Sequence, residues 1–380
     1  MSDLPFMVKY RDITITCILI AAFLGLLPFW FFLPEGEWKS FIGAGVTVFP
    51  FVILAQLAFL GEWYRPSRYL AVLCLLAVLF MSFCFVVLYA IFPALCIGSG
   101  DHDTPHTLQL ARVLIESVLA GICAGVASLA GFSRTFRGYI ARYIPIDPDS
   151  FVHMIGLVTL AAITLMCAVP LIINGSPPLL DPGVMEMIID DLGDEADMIR
   201  LETYGLIWTV AGSAFMVGLW IRQDLRGTLA RLGLVRPTPK QVLIGIGAAF
   251  LLLGLFHVAE PAITHAFGLA GIPTTDEAAI EKLFGAMNLS PLVALIASIS
   301  AGIGEELTFR GVLQPRFGIV LSALVFASAH AFQYSWDGIV VVLLVGICLG
   351  IIRKYTNTTT SAITHGTYDL VLFLLPFITI

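Results

Sequence analysis

Three polar insertions interrupt apolar runs in the last third of the sequence: EELTFR (Glu305–Arg310), FASAH (Phe326–His330) and HGTYD (His365–Asp369). Carboxylates and imidazoles are the side chains that move protons near neutral pH. Inside a membrane such groups are costly, and by default they mark function. Glu306 and Arg310 are four residues apart, so they share a helix face and can pair, which offsets part of that cost. Glu305 is turned by about 100° from Glu306 on a helix of 3.6 residues per turn, which leaves it free for another task. His365 and Asp369 are also four apart and can point into one cavity, while Phe326, one turn before His330, could wall it. A carboxylate and a histidine can activate water: Glu305 would accept the proton, and His330 would orient the water or relay the proton. His365 and Asp369 could stabilise an oxyanion or hold a metal. The reaction class this chemistry suggests is hydrolysis of an amide bond.

The elements that must position these groups are membrane helices. Of 380 residues, 58% are hydrophobic and 12% charged, against roughly 25% charged in soluble domains. The reading is an all-α, polytopic transmembrane helix bundle. Runs of the roughly 20 apolar residues a span needs fall at 12–33, 39–61, 69–96, 108–132, 151–173, 204–221, 241–267, 291–313, 318–335, 338–353 and 358–379, about eleven in all. The start of the chain has no small-residue cleavage site after its first apolar run, so that run reads as a helix rather than a signal peptide. Lys9, Arg11, Arg65, Arg68, Arg134, Arg137, Arg142, the basic stretch Arg222–Lys240, Arg316, Arg353 and Lys354 fall in loops on one face if the spans alternate. The acidic loop Leu179–Glu202 and the loop Gly98–His106 fall on the other. Positive loops stay inside, so the expected N-terminus is cytoplasmic and the C-terminus outside, in a bacterial inner (cytoplasmic) membrane. Counting 1.5 Å per residue puts Glu305 and His365 roughly 12 Å below that face and His330 roughly 18 Å, compatible with one site. The basic, proline-bearing loop Leu225–Gln241 divides the chain into 1–239, about six spans of unknown role, and 240–380.

The three insertions, in this order and in apolar helices, resemble the EExxxR, FxxxH and HxxxN/D motifs of the CAAX protease and bacteriocin-processing (CPBP) family of intramembrane proteases, which includes the Ras-converting CAAX endopeptidase. The resemblance covers roughly 240–380, and Arg231–Pro237 (RLGLVRP) resembles the segment that often precedes that domain. It implies Glu305 as catalytic carboxylate, His330 as its water-activating partner, and His365 and Asp369 as oxyanion-stabilising or assisting groups. Glu306, Arg310 and Phe326 would be supports. Asparagine is frequent in the family where this chain has Asp369. Asparagine can donate to an oxyanion and ionised aspartate cannot, so Asp369 is protonated, orients His365, or binds a metal. The substitution leans towards a metal-assisted variant, in which Glu305, His330, His365 and Asp369 could hold a divalent ion such as zinc. The expected partners are the lipid bilayer and a membrane-associated peptide or protein substrate.

Competing readings are a non-catalytic scaffold or immunity protein of the same fold, and an ion- or proton-coupled transporter using the same polar groups as a path. No pair of matching broken helices favours the transporter. Asp101, His102, Asp103 and His106 read as a solvated loop rather than a metal site. His257, Glu260 and His265 form a weak second cluster, with Pro261 expected to interrupt the helix between them. The seven cysteines include no CxxC pair and read as small buried hydrophobes. There is no HExxH, Walker A or GxGxxG motif, and the bases are scattered. Neither nucleotide nor nucleic acid is an expected partner.

Overall fold

Residues 6–96, 106–287 and 289–378 are described by a computed structural model, and among them there is no β-strand. Asp101, His102 and Asp103 lie outside the described residues. The helices are α1 (Phe6–Phe32), α2 (Glu37–Val46), α3 (Phe49–Gly61), α4 (Arg65–Cys96), α5 (His106–Ser128) and α6 (Arg134–Ile140). There follow α7 (Phe151–Cys167), α8 (Val169–Asn174), α9 (Pro182–Leu192), α10 (Glu195–Met216), α11 (Leu225–Leu232) and α12 (Pro239–Leu269). The chain closes with α13 (Glu277–Met287), α14 (Pro291–Glu305), α15 (Gln314–Ala329), α16 (Trp336–Tyr355) and α17 (Thr358–Ile378).

Local signals explain where the site-bearing helices begin. Thr238 and Gln241 form a reciprocal capping box with Pro239 in the first turn of α12. Ser290 caps α14, its hydroxyl accepting from the Val293 amide, again with proline following. Pro261 does not interrupt α12, which continues to Leu269. Proline is tolerated within membrane helices because neighbouring groups satisfy the freed backbone. His257, Glu260 and His265 are all exposed on that helix.

Between α14 and α15 the chain is not a regular α-helix. Glu306–Leu313 is π-helical, a form concentrated at functional sites. Then α15 kinks at Gly318, whose φ of 80° and ψ of 174° suit glycine alone. A short 3₁₀ turn, His330–Phe332, ends the run.

Among the described residues seven helical runs are long and apolar enough to cross a bilayer, and the pair α2–α3, bent by 43°, makes an eighth. The protein is thus an integral membrane protein with an all-helical fold. These runs account for nine of the eleven expected spans, because 291–313 and 318–335 form one continuous run, Pro291–Phe332. The two others, 204–221 and 358–379, fall on α10 and α17. Both helices are present, but polar residues such as Glu195, Asp197, Arg200 and Glu202 in α10 dilute their hydropathy.

The site is set by how α14 meets α17. A Cβ built on Gly302 would lie 2.7 Å from both Cα and N of Gly366, so the two helices touch backbone to backbone. Small residues permit that approach in membranes. It places Glu305 and Glu306, one turn beyond Gly302, beside His365. Gly302→Ala should therefore fail despite alanine's advantage in a helix of about 1 kcal/mol. Backbone atoms cannot move aside as a side chain can, and overpacking costs about 1–3 kcal/mol. Thermal unfolding of the variant and of the unsubstituted protein, compared side by side, checks this.

The segment before the expected division at 239/240 packs into the second region. Leu232 is buried against Gly311. The Thr358 amide donates to the Gly233 carbonyl at 3.1 Å, and the Val235 amide donates to Thr359 Oγ1 at 3.0 Å.

Candidate active site

Glu306 is the centre of a buried polar cluster. Its side chain is 0% exposed and that of Arg310 1%. Arg310 Nη1 lies 3.2 Å from Glu306 Oε1. His365 Nδ1 donates to the same oxygen at 3.1 Å, and Ser361 Oγ donates to Oε2 at 2.6 Å. Arg310 is further fixed by donating from Nη2 to the Gly346 carbonyl at 3.1 Å and by lying 4.6 Å above the Phe326 ring. A buried ion pair persists only when much of its remaining hydrogen-bonding capacity is met; partners from α16 and α17 supply this for Glu306 and for Nη2 of Arg310, while Nη1 has only the ion-pair contact with Glu306.

Glu305 faces elsewhere, with its side chain 34% exposed. Its Oε2 lies 3.8 Å from His365 Nε2, and Asp369 Oδ2 lies 3.4 Å from the same nitrogen. The two neighbouring glutamates thus address opposite nitrogens of one imidazole. Ionised carboxylates only accept, so the His365 ring can donate at both positions. Across the gap to α10, Ser300 Oγ donates to the Glu202 carbonyl at 3.2 Å, bringing Glu202 within electrostatic reach of Glu305.

His330 sits where α15 ends. Its Nδ1 is 2.8 Å from the Phe326 carbonyl, an acceptor, so Nδ1 carries the proton and Nε2 is left with its lone pair. Phe326 separates the two histidines, its ring centre 4.8 Å from His330 and 6.0 Å from His365. Tyr334 stacks on His330 at 6.3 Å. The expected partnership of Glu305 with His330 is not a direct contact: the imidazole in contact with Glu305 is His365.

All seven residues singled out from the sequence, Glu305, Glu306, Arg310, Phe326, His330, His365 and Asp369, meet around Phe326 and His365. Two contributors were missed. Ser361, His365 and Asp369 follow one another at intervals of four, as do Phe326, His330 and Tyr334. Extending each motif by one helical turn would have found Ser361 and Tyr334. For a metal the fit is poor. Among the described residues no three His, Cys, Asp or Glu side chains are grouped to hold an ion. The Nδ1 atoms of both histidines are committed to oxygens of the chain.

Residues 287–371 match the family model described as "Type II CAAX prenyl endopeptidase Rce1-like". No curated protein and no solved structure matches the chain. The matched range contains Glu305, Glu306, Arg310, Phe326, His330, Ser361, His365 and Asp369. The segment that builds this site is therefore Rce1-like, and through it the sequence resemblance to the CAAX protease and bacteriocin-processing family holds.

Proposed function

We propose that the protein is an intramembrane endopeptidase that cleaves a membrane-associated protein or peptide with water activated by Glu305 and His330. The observation that carries this reading is the arrangement of Glu305. It is a partly exposed carboxylate at the rim of a mostly buried cluster of His365, Asp369 and Glu306, with His330 across the Phe326 ring from His365. Glu305 takes a proton from water, and the resulting hydroxide oxygen attacks the carbonyl carbon of the scissile peptide. The C–N bond then breaks, and the amine leaves with the proton that Glu305 returns. His330 Nε2 accepts a hydrogen bond from the water and aims it. Glu306 and Asp369 hold the His365 ring at its two nitrogens, and the positive charge of the ring, rather than a free N–H, offsets the developing negative charge.

For Asp369 the 3.4 Å approach to His365 Nε2 favours the orienting role over the oxyanion role. Asp369→Asn retains an acceptor oxygen, so turnover should fall by about tenfold. Asp369→Leu removes it and should cost about 100-fold, the range seen when an imidazole loses its orienting partner. If Asp369→Asn instead raises turnover, the residue acts on the oxyanion.

The reading as an enzyme is tested by mapping new peptide termini in membranes that hold wild-type protein or Glu305→Gln. A set of termini present only with the wild type is expected. Identical sets, with both proteins folded and at equal abundance, would point to the scaffold or transporter instead. Repeating the comparison with a chelator tests separately for a metal.

A further inference from the structure

A cavity of about 360 Å³ lies between the N-terminal helices and the π-helical stretch. Its walls come from α3 (Phe51, Ala55, Phe59), α7 (Ile155) and Phe309, and they are almost wholly carbon. The volume is in the range of small-molecule sites. Val48 and Phe59 both line it, so along α3 it extends about 16 Å at 1.5 Å per residue. The Glu305 and His365 cluster lies on the far side of Phe309, whose ring packs edge-on against Phe326 at 5.1 Å.

The end of this slot at Phe59 is cationic. Arg316 lines the cavity and lies 4.9 Å from the Phe59 ring centre, and Arg222 lies 4.8 Å from the same ring. Arg231 is close enough to repel Arg316, and the acidic group that opposes them is Glu62. Glu62 is already engaged, its Oε1 accepting from Ser150 Oγ at 3.0 Å and from the Val152 amide at 3.2 Å. Arg231 donates to the Gly311 carbonyl at 3.3 Å. Among the described residues the guanidinium of Arg316 has the Phe59 ring as its contact and no carboxylate. Cations withdrawn from water are costly unless paired. Guanidinium groups pair best with planar or tetrahedral oxyanions, phosphate among them. An apolar slot ending in unpaired guanidiniums is complementary to an anion carrying a long hydrocarbon tail.

We propose that this cavity binds one acyl chain of an anionic membrane phospholipid, with the lipid phosphate held by Arg316 and Arg222. The occupant would rest against Phe309, one ring away from the wall of the catalytic site.

The test uses the full-length protein in nonionic detergent. Dioleoyl phosphatidylglycerol, dioleoyl phosphatidylcholine or inorganic phosphate is added, and binding is followed by native mass spectrometry and thermal unfolding. Phosphatidylglycerol should bind about tenfold more tightly than phosphatidylcholine, the worth of one charge-assisted contact. Inorganic phosphate alone should not stabilise the protein. Arg316→Gln should lose the preference for the anionic lipid, and Ala55→Phe, which fills the slot, should weaken binding of both lipids. Should Arg316→Gln not fold, Arg222→Gln, at an exposed position, removes charge from the same end and should also lose the preference. Equal affinity for the two lipids overturns the proposal, as does unchanged lipid binding in Arg316→Gln or Ala55→Phe. Stabilisation by inorganic phosphate equal to that by the anionic lipid overturns it too, in favour of a free-anion site.

Discussion

Glu305→Gln should abolish turnover and leave the protein folded. The substitution keeps the size and polarity of the side chain but removes its capacity to take a proton. Proton transfer by a positioned base contributes about 10²–10⁴-fold, so kcat should fall by that factor at saturating substrate. Stability should hardly change, for three reasons. The Glu305 side chain is 34% exposed, its contact with His365 Nε2 is 3.8 Å, and it takes no part in the pairing of Glu306 with Arg310 or Ser361. Substitutions at such sites usually fall within about 0.5 kcal/mol. Removing one of the carboxylates crowded around His365 also relieves repulsion between them. The measurement is kcat on a substrate identified from its new termini, paired with thermal unfolding of the same preparation. A folded Glu305→Gln protein with wild-type kcat would remove Glu305 from the chemistry and with it the proposed mechanism.

The sequence was most readable where helical periodicity decides. Residues four apart, Glu306 with Arg310 and His365 with Asp369, do face one another, at 3.2 and 3.4 Å. The rotation of Glu305 away from Glu306 about the helix axis is seen as 34% against 0% side-chain exposure. Other features depend on partners that no local pattern announces. Nothing in ELTFRGVL distinguishes a π-helical stretch from an α-helical one, because the difference lies in which carbonyl each amide finds. The contact of Gly302 with Gly366 joins residues far apart in sequence, one in an apolar run and the other beside His365, and no local pattern pairs them. That contact brings Glu305 to His365 rather than to His330, the partner expected from the chemistry of water activation. Hydropathy likewise cannot divide Pro291–Phe332 into two spans, since the break is a kink at Gly318 and not a polar loop.

Glu306→Gln should be a folding defect before it is a catalytic one. It leaves Arg310, 1% exposed, as an uncompensated charge inside the bundle. Breaking a buried pair from one side costs about 3–5 kcal/mol, a large share of the 5–15 kcal/mol that ordinarily separates folded from unfolded protein. The expected result is low yield and a large drop in the unfolding midpoint. Adding Arg310→Met removes the orphaned charge and retains a side chain that packs on Phe326. Stability should then recover by a large part of the loss, because a buried pair replaced as a whole is often neutral. Turnover should not recover with it. His365 Nδ1 still faces an amide in place of a carboxylate, and the ring that Glu306 held at 3.1 Å loses its anionic partner. The double variant thus separates two duties of one side chain, compensation of Arg310 and orientation of His365. If the double variant is as unstable as Glu306→Gln alone, the charge of Arg310 is not what Glu306 compensates. If it recovers both stability and turnover, Glu306 has no part in holding His365.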